Sequence, residues 1–560
     1  MGTFTLNPDT QHGVSRKDVL AQFRYFLKVF RQADLLESQG PKDQAAAAKV
    51  LYRWGAMETA ALANAARRHP DRLGLVDDEG ELTYADFWEE SVRLALGLQA
   101  RGIGGGKHVA VLARNGRSSI LPLTCRHLLG FHIFMVNANS SAAQIEHLLE
   151  FHHIDCFIVD EEFLDRVTER AAAHRRIIVG YTEGEHPEYE TLREVIDSAR
   201  VTDTLPSRPP RGKHIVMTSG TSGTPKGVIR RTVASPQGLA SVLSGVPWEQ
   251  GLTVMLTAVL FHAFGWANLM MALQTSSTVI ARRGFEPEQA LEDIRHYHIN
   301  AMATSASRIR ALHSYFTEHG VTSVPGMKFI VSSGSPLTPY EVEHTNELFG
   351  QVLCNFYGST ETACLAAARP EQLAADPSLT GEVYPGEVIE IRDEEGNLLP
   401  EGEIGRIWAG CYDMFVGYTD ADIEIPTKNG LINMGDRGYL SDGGRMLHVL
   451  GRADDLVITQ FGEKIFPAEL EDCLMRMAGV HDVYVHGVSD PAYGQALRAY
   501  IIPEDPANPP SAEQAQSFIQ EHLSDAHVPR DVFFVEDFPR NPMGKVMKRY
   551  LPGKSTLASS

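Results

Sequence analysis

The chain has 560 residues, 43% of them hydrophobic and 22% charged, with a formal net charge of -20. That length exceeds one comfortable core and calls for two or more domains. The mix is that of a soluble globular protein, and the acidic balance argues against a nucleic-acid partner, which needs a basic footprint.

The opening residues, MGTFTLNPDTQHG, are polar and carry no secretory signal. Leu6 stands where a myristoylation pattern wants Ser or Thr. Residues 14–36 place Val19, Phe23, Phe26, Leu27 and Phe30 at helical spacing, with Arg16, Lys17, Arg24, Lys28 and Arg31 on the other face. Such a helix either packs on the domain or lies on a membrane surface, where an apolar and a basic face both find partners.

From about residue 55, helical stretches such as AALANAARRH alternate with short apolar runs such as HVAVLA, FIVD and RIIVGY. That alternation predicts an α/β fold with largely parallel sheets flanked by helices. The polar, Pro-rich stretch 201–213 reads as a loop before the strand HIVMT. No charge occurs between Gly251 and Ala281, but His262, Gly265, Asn268 and Gln274 break the run, which reads as strand, loop, buried helix and strand.

After about residue 395, turn signals every few residues predict hairpins in a small β subdomain. From Arg452 a smaller α+β segment follows: LEDCLMRM and PSAEQAQSFIQEHL are helices, DVYVHGVS and RAYIIPE strands. A boundary near residues 450–452 divides the chain into an N-terminal extension (1–50), a large domain (51–450) and a small domain (452–553), with KSTLASS expected to be disordered. The cysteines, Cys125, Cys156, Cys354, Cys364, Cys411 and Cys473, are scattered without CxxC pairs. They read as small core hydrophobes in a reducing compartment.

Four segments carry chemistry. In Met217–Gly227 the residues Thr218, Ser219, Gly220, Thr221, Ser222, Gly223 and Thr224 offer inward backbone N–H groups and hydroxyls, and Lys226 adds a charge for phosphate. Pro225 before that lysine and Gly227 after it exclude a Walker A loop. Asn355–Thr362 offers the Tyr357 ring to a base, the Thr360 hydroxyl to a phosphate and the Glu361 carboxylate to a hard cation. Asp436 can accept from both ribose hydroxyls, and Arg452 can donate to the same sugar. Lys545 closes a Pro- and Gly-shaped loop, Pro539–Lys545, and is held rather than free.

In this order and at these separations the four segments resemble the superfamily of adenylate-forming enzymes: acyl- and aryl-CoA synthetases, peptide-synthetase adenylation domains and firefly-type luciferases. The resemblance spans about residues 55–551. TSGTSGTPKG is similar to the superfamily's phosphate loop, YGSTET to its Tyr-Gly-x-Thr-Glu segment, GRADDLVITQFGEKIFPAELE to its hinge segment and PRNPMGK to its catalytic-lysine loop. Ser333–Leu337, with Gly334, Ser335 and Pro336, resembles the adenine-side loop, and Leu260–Gly265 the segment beside the carboxylate pocket.

The resemblance implies ATP, Mg²⁺ and CoA as cofactors. Lys545 would bridge the substrate carboxylate and the α-phosphate. Glu361, with Thr218, would hold Mg²⁺, and Lys226 the β- and γ-phosphates. Tyr357 and Ser335 would hold the adenine, Asp436 and Arg452 the ribose. His262 would stand near the reacting carboxylate, with Trp266 and Gly358 by the acyl pocket. The small domain would swing about Asp454, bringing Gly462 to the pantetheine channel. Phe461 departs from a paired-glycine pattern there, which leaves thiol access less defined than adenylation. The surrounding texture, including NANSSAAQIEHLLE and FIVDEEF, resembles actinobacterial fatty-acyl-CoA synthetases. A medium- to long-chain fatty acid is therefore the expected small-molecule partner and CoA the acceptor, in the cytoplasm or at the inner membrane face. An aryl acid, or an acyl-AMP ligase serving another thiol, is the alternative.

Overall fold

The computed structural model describes residues 40–184, 188–200, 203–219, 225–230, 242–411, 414–420, 422–423, 427–458, 464–490, 494–540 and 545–553. The basic amphipathic stretch 14–36, the tip of the glycine-rich loop, Gly462 and the last seven residues lie outside the described residues.

The α/β alternation builds a large body from two sheets. One has eight strands, with parallel pairing among His108–Leu112, His132–Met135, Cys156–Val159, Arg176–Val179 and His214–Ser219. These strands read as continuous apolar runs such as CFIV because helices cover both faces. The other sheet has fourteen strands. Its parallel stretch includes Thr253–Leu256, Thr278–Ile280, Ala301–Thr304, Phe329–Ser332 and Leu353–Ser359. It turns antiparallel at Ala363–Ala368, and the hairpins anticipated after residue 395 continue it as Val388–Arg392, Gly405–Gly410, Leu431–Ser441 and Met446–Arg452.

The uncharged stretch resolves as expected into strand, helix (Ala263–Gln274, 12 residues) and strand. At 1.5 Å per residue, that helix covers roughly 18 Å of a ~30 Å hydrocarbon layer. Among the described residues no helix is long and apolar enough to cross a membrane. All six cysteines are free thiols, five of them buried.

Local sequence sets the helix starts. Thr83, Ser141, Thr191, Thr338 and Ser511 each accept a backbone N–H from three residues on, and the residue there bonds back.

After Arg452 comes a one-turn 3-10 segment, Ala453–Asp455, and then a smaller body. The antiparallel pair Val480–Asp490 and Gly494–Pro503 takes Asp531–Phe534 as a parallel third strand. Helices Pro467–Met475 and Ala512–His522 cover it. Leu470, Leu474, Val483, Ile501 and Ile519 form its own core, separate from the clusters of the large body.

Candidate active site

Lys226, expected at the end of a glycine-rich loop, belongs instead to a strand. His214–Ser219 and Pro225–Ile229 are the two arms of one hairpin, with Thr218 opposite Lys226 and Ser219 opposite Pro225. Proline is tolerated there because the first residue of a strand need not donate to the ladder. Residues 220–224 form the connection and lie outside the described residues, as do the side chains of Thr218 and Ser219.

A second edge approaches this hairpin. Leu353–Ser359 runs through Tyr357 and Gly358, turns at Thr360–Thr362 and returns as Ala363–Ala368. Ser359 N–H bonds the Thr362 hydroxyl at 3.1 Å, and Ala363 adopts φ +58°. Gly358 is required in this turn, because a Cβ there would overlap the Ala363 carbonyl oxygen. Arg230, just past the hairpin, donates to the Thr360 carbonyl at 2.6 Å and joins the two edges.

Tyr418 links the charges and was not singled out from the sequence. Gly417–Tyr418 pairs antiparallel with Val228 and Ile229, directly beside Lys226. The Tyr418 hydroxyl donates to the Glu361 carboxylate at 2.9 Å, and the Lys226 ammonium stands 5.5 Å from its ring centroid, within cation–π range. Burial, then the Glu361 charge, push the Tyr418 phenol up, so it stays a donor. A Gly-Tyr pair followed by polar residues carries no spacing signal; strand pairing alone reveals it.

The nucleoside candidates also meet. Gly435-Asp436 and Gly451-Arg452, which could have been turns, lie on adjacent antiparallel strands with Asp436 opposite Arg452. Arg452 donates to one Asp436 oxygen at 3.0 Å, and the Tyr357 hydroxyl donates to the other at 2.8 Å. Burial raises the Asp436 carboxyl pKa, opposed by Arg452, Tyr357 and Lys545. Gly334 takes φ +89° after the Phe329–Ser332 strand. The Ser335 hydroxyl is buried with no partner among the described residues, and Pro336 is exposed.

His262 caps the Ala263–Gln274 helix, and its Nε2 is buried without a hydrogen-bond partner among the described residues. Burial lowers its pKa to about 4, so the ring is neutral near pH 7. One turn on, Trp266 donates to Glu58 at 2.5 Å, and Glu58 also pairs with the fully buried Arg126 at 2.9 Å. This ion pair fixes the helix that presents His262.

Lys545 comes from the smaller body. Its loop is pinned at the base by the Arg540–Val546 bridge and by Met547 N–H to the Pro539 carbonyl at 2.7 Å. The exposed Lys545 ammonium lies close enough to lower the Asp436 pKa. Asp454 sits in the single turn between the two bodies. Among the described residues no three His, Cys, Asp or Glu side chains gather as a metal cage. Glu361, a single carboxylate linked through Tyr418 to Lys226, nonetheless fits Mg²⁺, which binds through one or two carboxylates together with phosphate oxygens.

Two family models match: AMP-binding enzyme over residues 62–419 and AMP-binding enzyme C-terminal domain over 469–545. A fatty acid–[acyl-carrier-protein] ligase from Streptomyces coeruleorubidus is 27% identical, over 87% of this chain and 94% of that protein. A 2-succinylbenzoate–CoA ligase from Bacillus licheniformis is 26% identical, over 86% of this chain and 97% of its own. The o-succinylbenzoate CoA synthetase of Bacillus subtilis with its acyl-adenylate superposes with a TM-score of 0.72 at 22% identity, covering 89% and 99% of the two chains. With a family model covering most of its length and both bodies matched, the chain belongs to the AMP-binding enzyme family, the adenylate-forming superfamily.

Proposed function

We propose that the enzyme is an acid–thiol ligase that condenses a lipophilic carboxylic acid with ATP to acyl-AMP and passes the acyl group to CoA. The observation that carries this reading is the Lys545 loop of one body, which stands near enough for the ammonium charge to act on Asp436 of the other. A carboxylate must attack the α-phosphate although both are anions, so the site needs positive charge where the new bond forms. Lys545 supplies it. Asp436 and Arg452 hold the ribose, Tyr357 and Ser335 border the adenine, and Lys226 receives the outer phosphates. Glu361 would hold Mg²⁺, which when bound neutralises phosphate charge. The neutral His262 places a hydrogen-bonding nitrogen beside the acid without adding a second cation.

The CoA half of the proposal draws on a cleft of about 430 Å³ between the two bodies. Phe261 at its inner wall adjoins His262, and Arg114, Arg282, Arg283 and Arg308 line the wall of the large body. Guanidinium groups suit a polyphosphate-bearing thiol, although Arg114, Arg282 and Arg283 are each paired with a carboxylate here. Swinging the smaller body about Asp454 would withdraw Lys545 and bring the Gly462 segment to this cleft. The relatives' names pair a fatty acid with a carrier protein and an aryl diacid with CoA. We favour a medium- to long-chain fatty acid for the apolar, half-exposed helix face that carries Ala263, Phe264 and Trp266. Pyrophosphate release across acids of graded chain length, with and without CoA, tests this. Maximal turnover with a C8–C18 acid and CoA supports it, whereas a preference for benzoates, or no acyl-CoA despite pyrophosphate release, overturns it.

The spacing of residues 14–36 supports a cytoplasmic enzyme touching the inner membrane face. Deleting residues 1–40 is expected to abolish co-sedimentation with anionic liposomes; unchanged sedimentation removes that reading.

A further inference from the structure

The loop that carries Lys545 is tied to the large body by charges outside the proposed chemistry. Arg540, five residues before the lysine, pairs with Asp482 on the Val480–Asp490 strand. The other Asp482 oxygen lies 3.9 Å from Arg310 Nε, on the Ala306–Glu318 helix of the large body. Arg310 also pairs with Glu341, Nη1 to Oε1, at 3.2 Å, a charge contact without hydrogen-bond geometry. The remaining Glu341 oxygen accepts the Thr338 backbone N–H at 2.8 Å, within the capping box of the next helix. The path from that helix to the catalytic-lysine loop is thus Thr338, Glu341, Arg310, Asp482 and Arg540.

We propose that Asp482 is a positioning residue for the adenylation half-reaction, docking the Lys545 loop onto Arg310 in the pose that this structure shows. The proposal rests on the two-pose reading given above. Three features support it. First, opposite charges alternate along the path, Glu341, Arg310, Asp482 and Arg540. Second, the link across the bodies is the loosest step of the path. At 3.9 Å and with side chains 20% and 13% exposed, the Arg310–Asp482 contact is an ion pair without a hydrogen bond. Third, parting the bodies strands no charge, because Arg310 keeps Glu341 and Asp482 keeps Arg540. A buried pair is expensive to break when one partner is left alone; here each side retains one. The link can therefore open on every turnover. Arg310, Asp482 and Arg540 also line the cleft between the bodies, so opening it changes the passage itself.

Two further contacts across the bodies, among the described residues, lie away from the lysine loop. Arg476 pairs with Glu343 at 2.7 Å, and Tyr340 N–H bonds Asp472 at 2.9 Å, both on the Pro467–Met475 side. Glu471 borders the network but is committed to the Val485 N–H at 2.8 Å, and burial lifts its pKa to about 7.

The test uses the full-length enzyme and measures each half-reaction alone: acid-dependent pyrophosphate release, and thioester formation from supplied acyl-AMP and CoA. Asp482→Asn is expected to slow the first about tenfold, the size of a partly buried charge contact, and to slow the second several-fold less, since Asp482 also lines the cleft. Asp482→Glu should recover most of the loss, and Arg310→Lys, which keeps Glu341 company but shortens the reach, should reproduce it. Equal slowing of both half-reactions, or of neither, overturns the proposal. If Asp482→Asn does not fold, Arg310→Lys is read on the same two assays by the same criteria. Lys545→Ala in parallel separates the two levels. If it leaves pyrophosphate release intact, the two-pose reading fails; if it abolishes release while Asp482→Asn and Arg310→Lys are indifferent, only the Asp482 assignment fails.

Discussion

Replacing Lys545 with Ala is expected to remove acyl-adenylate formation while sparing the thioester step. The smaller body delivers the lysine to the Asp436 side of the site on a loop pinned at its base. The charge that it stabilises develops only as carboxylate and α-phosphate join. Its loss should therefore fall on the rate of adenylation and not on ground-state ATP binding. Removal of one such preorganised group typically costs about 10²–10³-fold in rate. Acid-dependent pyrophosphate release should drop by that factor at saturating ATP. Thioester formation from supplied acyl-AMP should persist, because the pose that performs it has withdrawn the lysine. Unimpaired pyrophosphate release in the variant would sink the assignment.

Much of this arrangement is legible in the sequence. The α/β alternation, the uncharged strand–helix–strand stretch and the Ser511-capped helix follow from periodicity and capping chemistry, which are local properties. The four loop segments likewise carried their functional groups in plain view. What periodicity could not supply was register. Gly435-Asp436 and Gly451-Arg452 read equally well as turns, and only their pairing sets the carboxylate opposite the guanidinium. The Lys226 segment read as loop because its glycines and hydroxyls dominate the composition. The hairpin that contains it depends on the Gly417–Tyr418 strand packing from outside, almost two hundred residues later. Tyr418 and the Arg310–Asp482 contact were invisible for the same reason: each joins residues distant in sequence through tertiary contacts that leave no local pattern.

That register is what the second large effect depends on. Asp436→Asn is expected to raise the KM for ATP and lower kcat/KM for ATP by roughly 10–100-fold, since hydrogen bonds involving a charged partner are worth about 1.5–3 kcal/mol. The carboxylate accepts one bond from Arg452 and one from Tyr357, which leaves each oxygen with capacity to accept another, as a diol requires. An amide keeps the shape but turns one oxygen into a donor. Facing Arg452, that atom meets the guanidinium donor to donor; facing Tyr357, it turns the hydroxyl from donor into acceptor; in either orientation one acceptor for the ribose is lost. A second consequence separates this variant from simple loss of ATP affinity. Asp436 is a carboxylate in the field of Lys545, so neutralising it also weakens the attraction that draws the lysine loop in. The adenylation rate at saturating ATP should therefore fall several-fold, and the KM for the acid should stay unchanged. Thioester formation from supplied acyl-AMP would lose affinity through the same ribose contact but keep its maximal rate. Isothermal ATP binding together with single-turnover pyrophosphate release measures both effects. A variant whose ATP affinity and saturated rate both match wild type would show that Asp436 holds only Tyr357 and Arg452, and not the nucleotide.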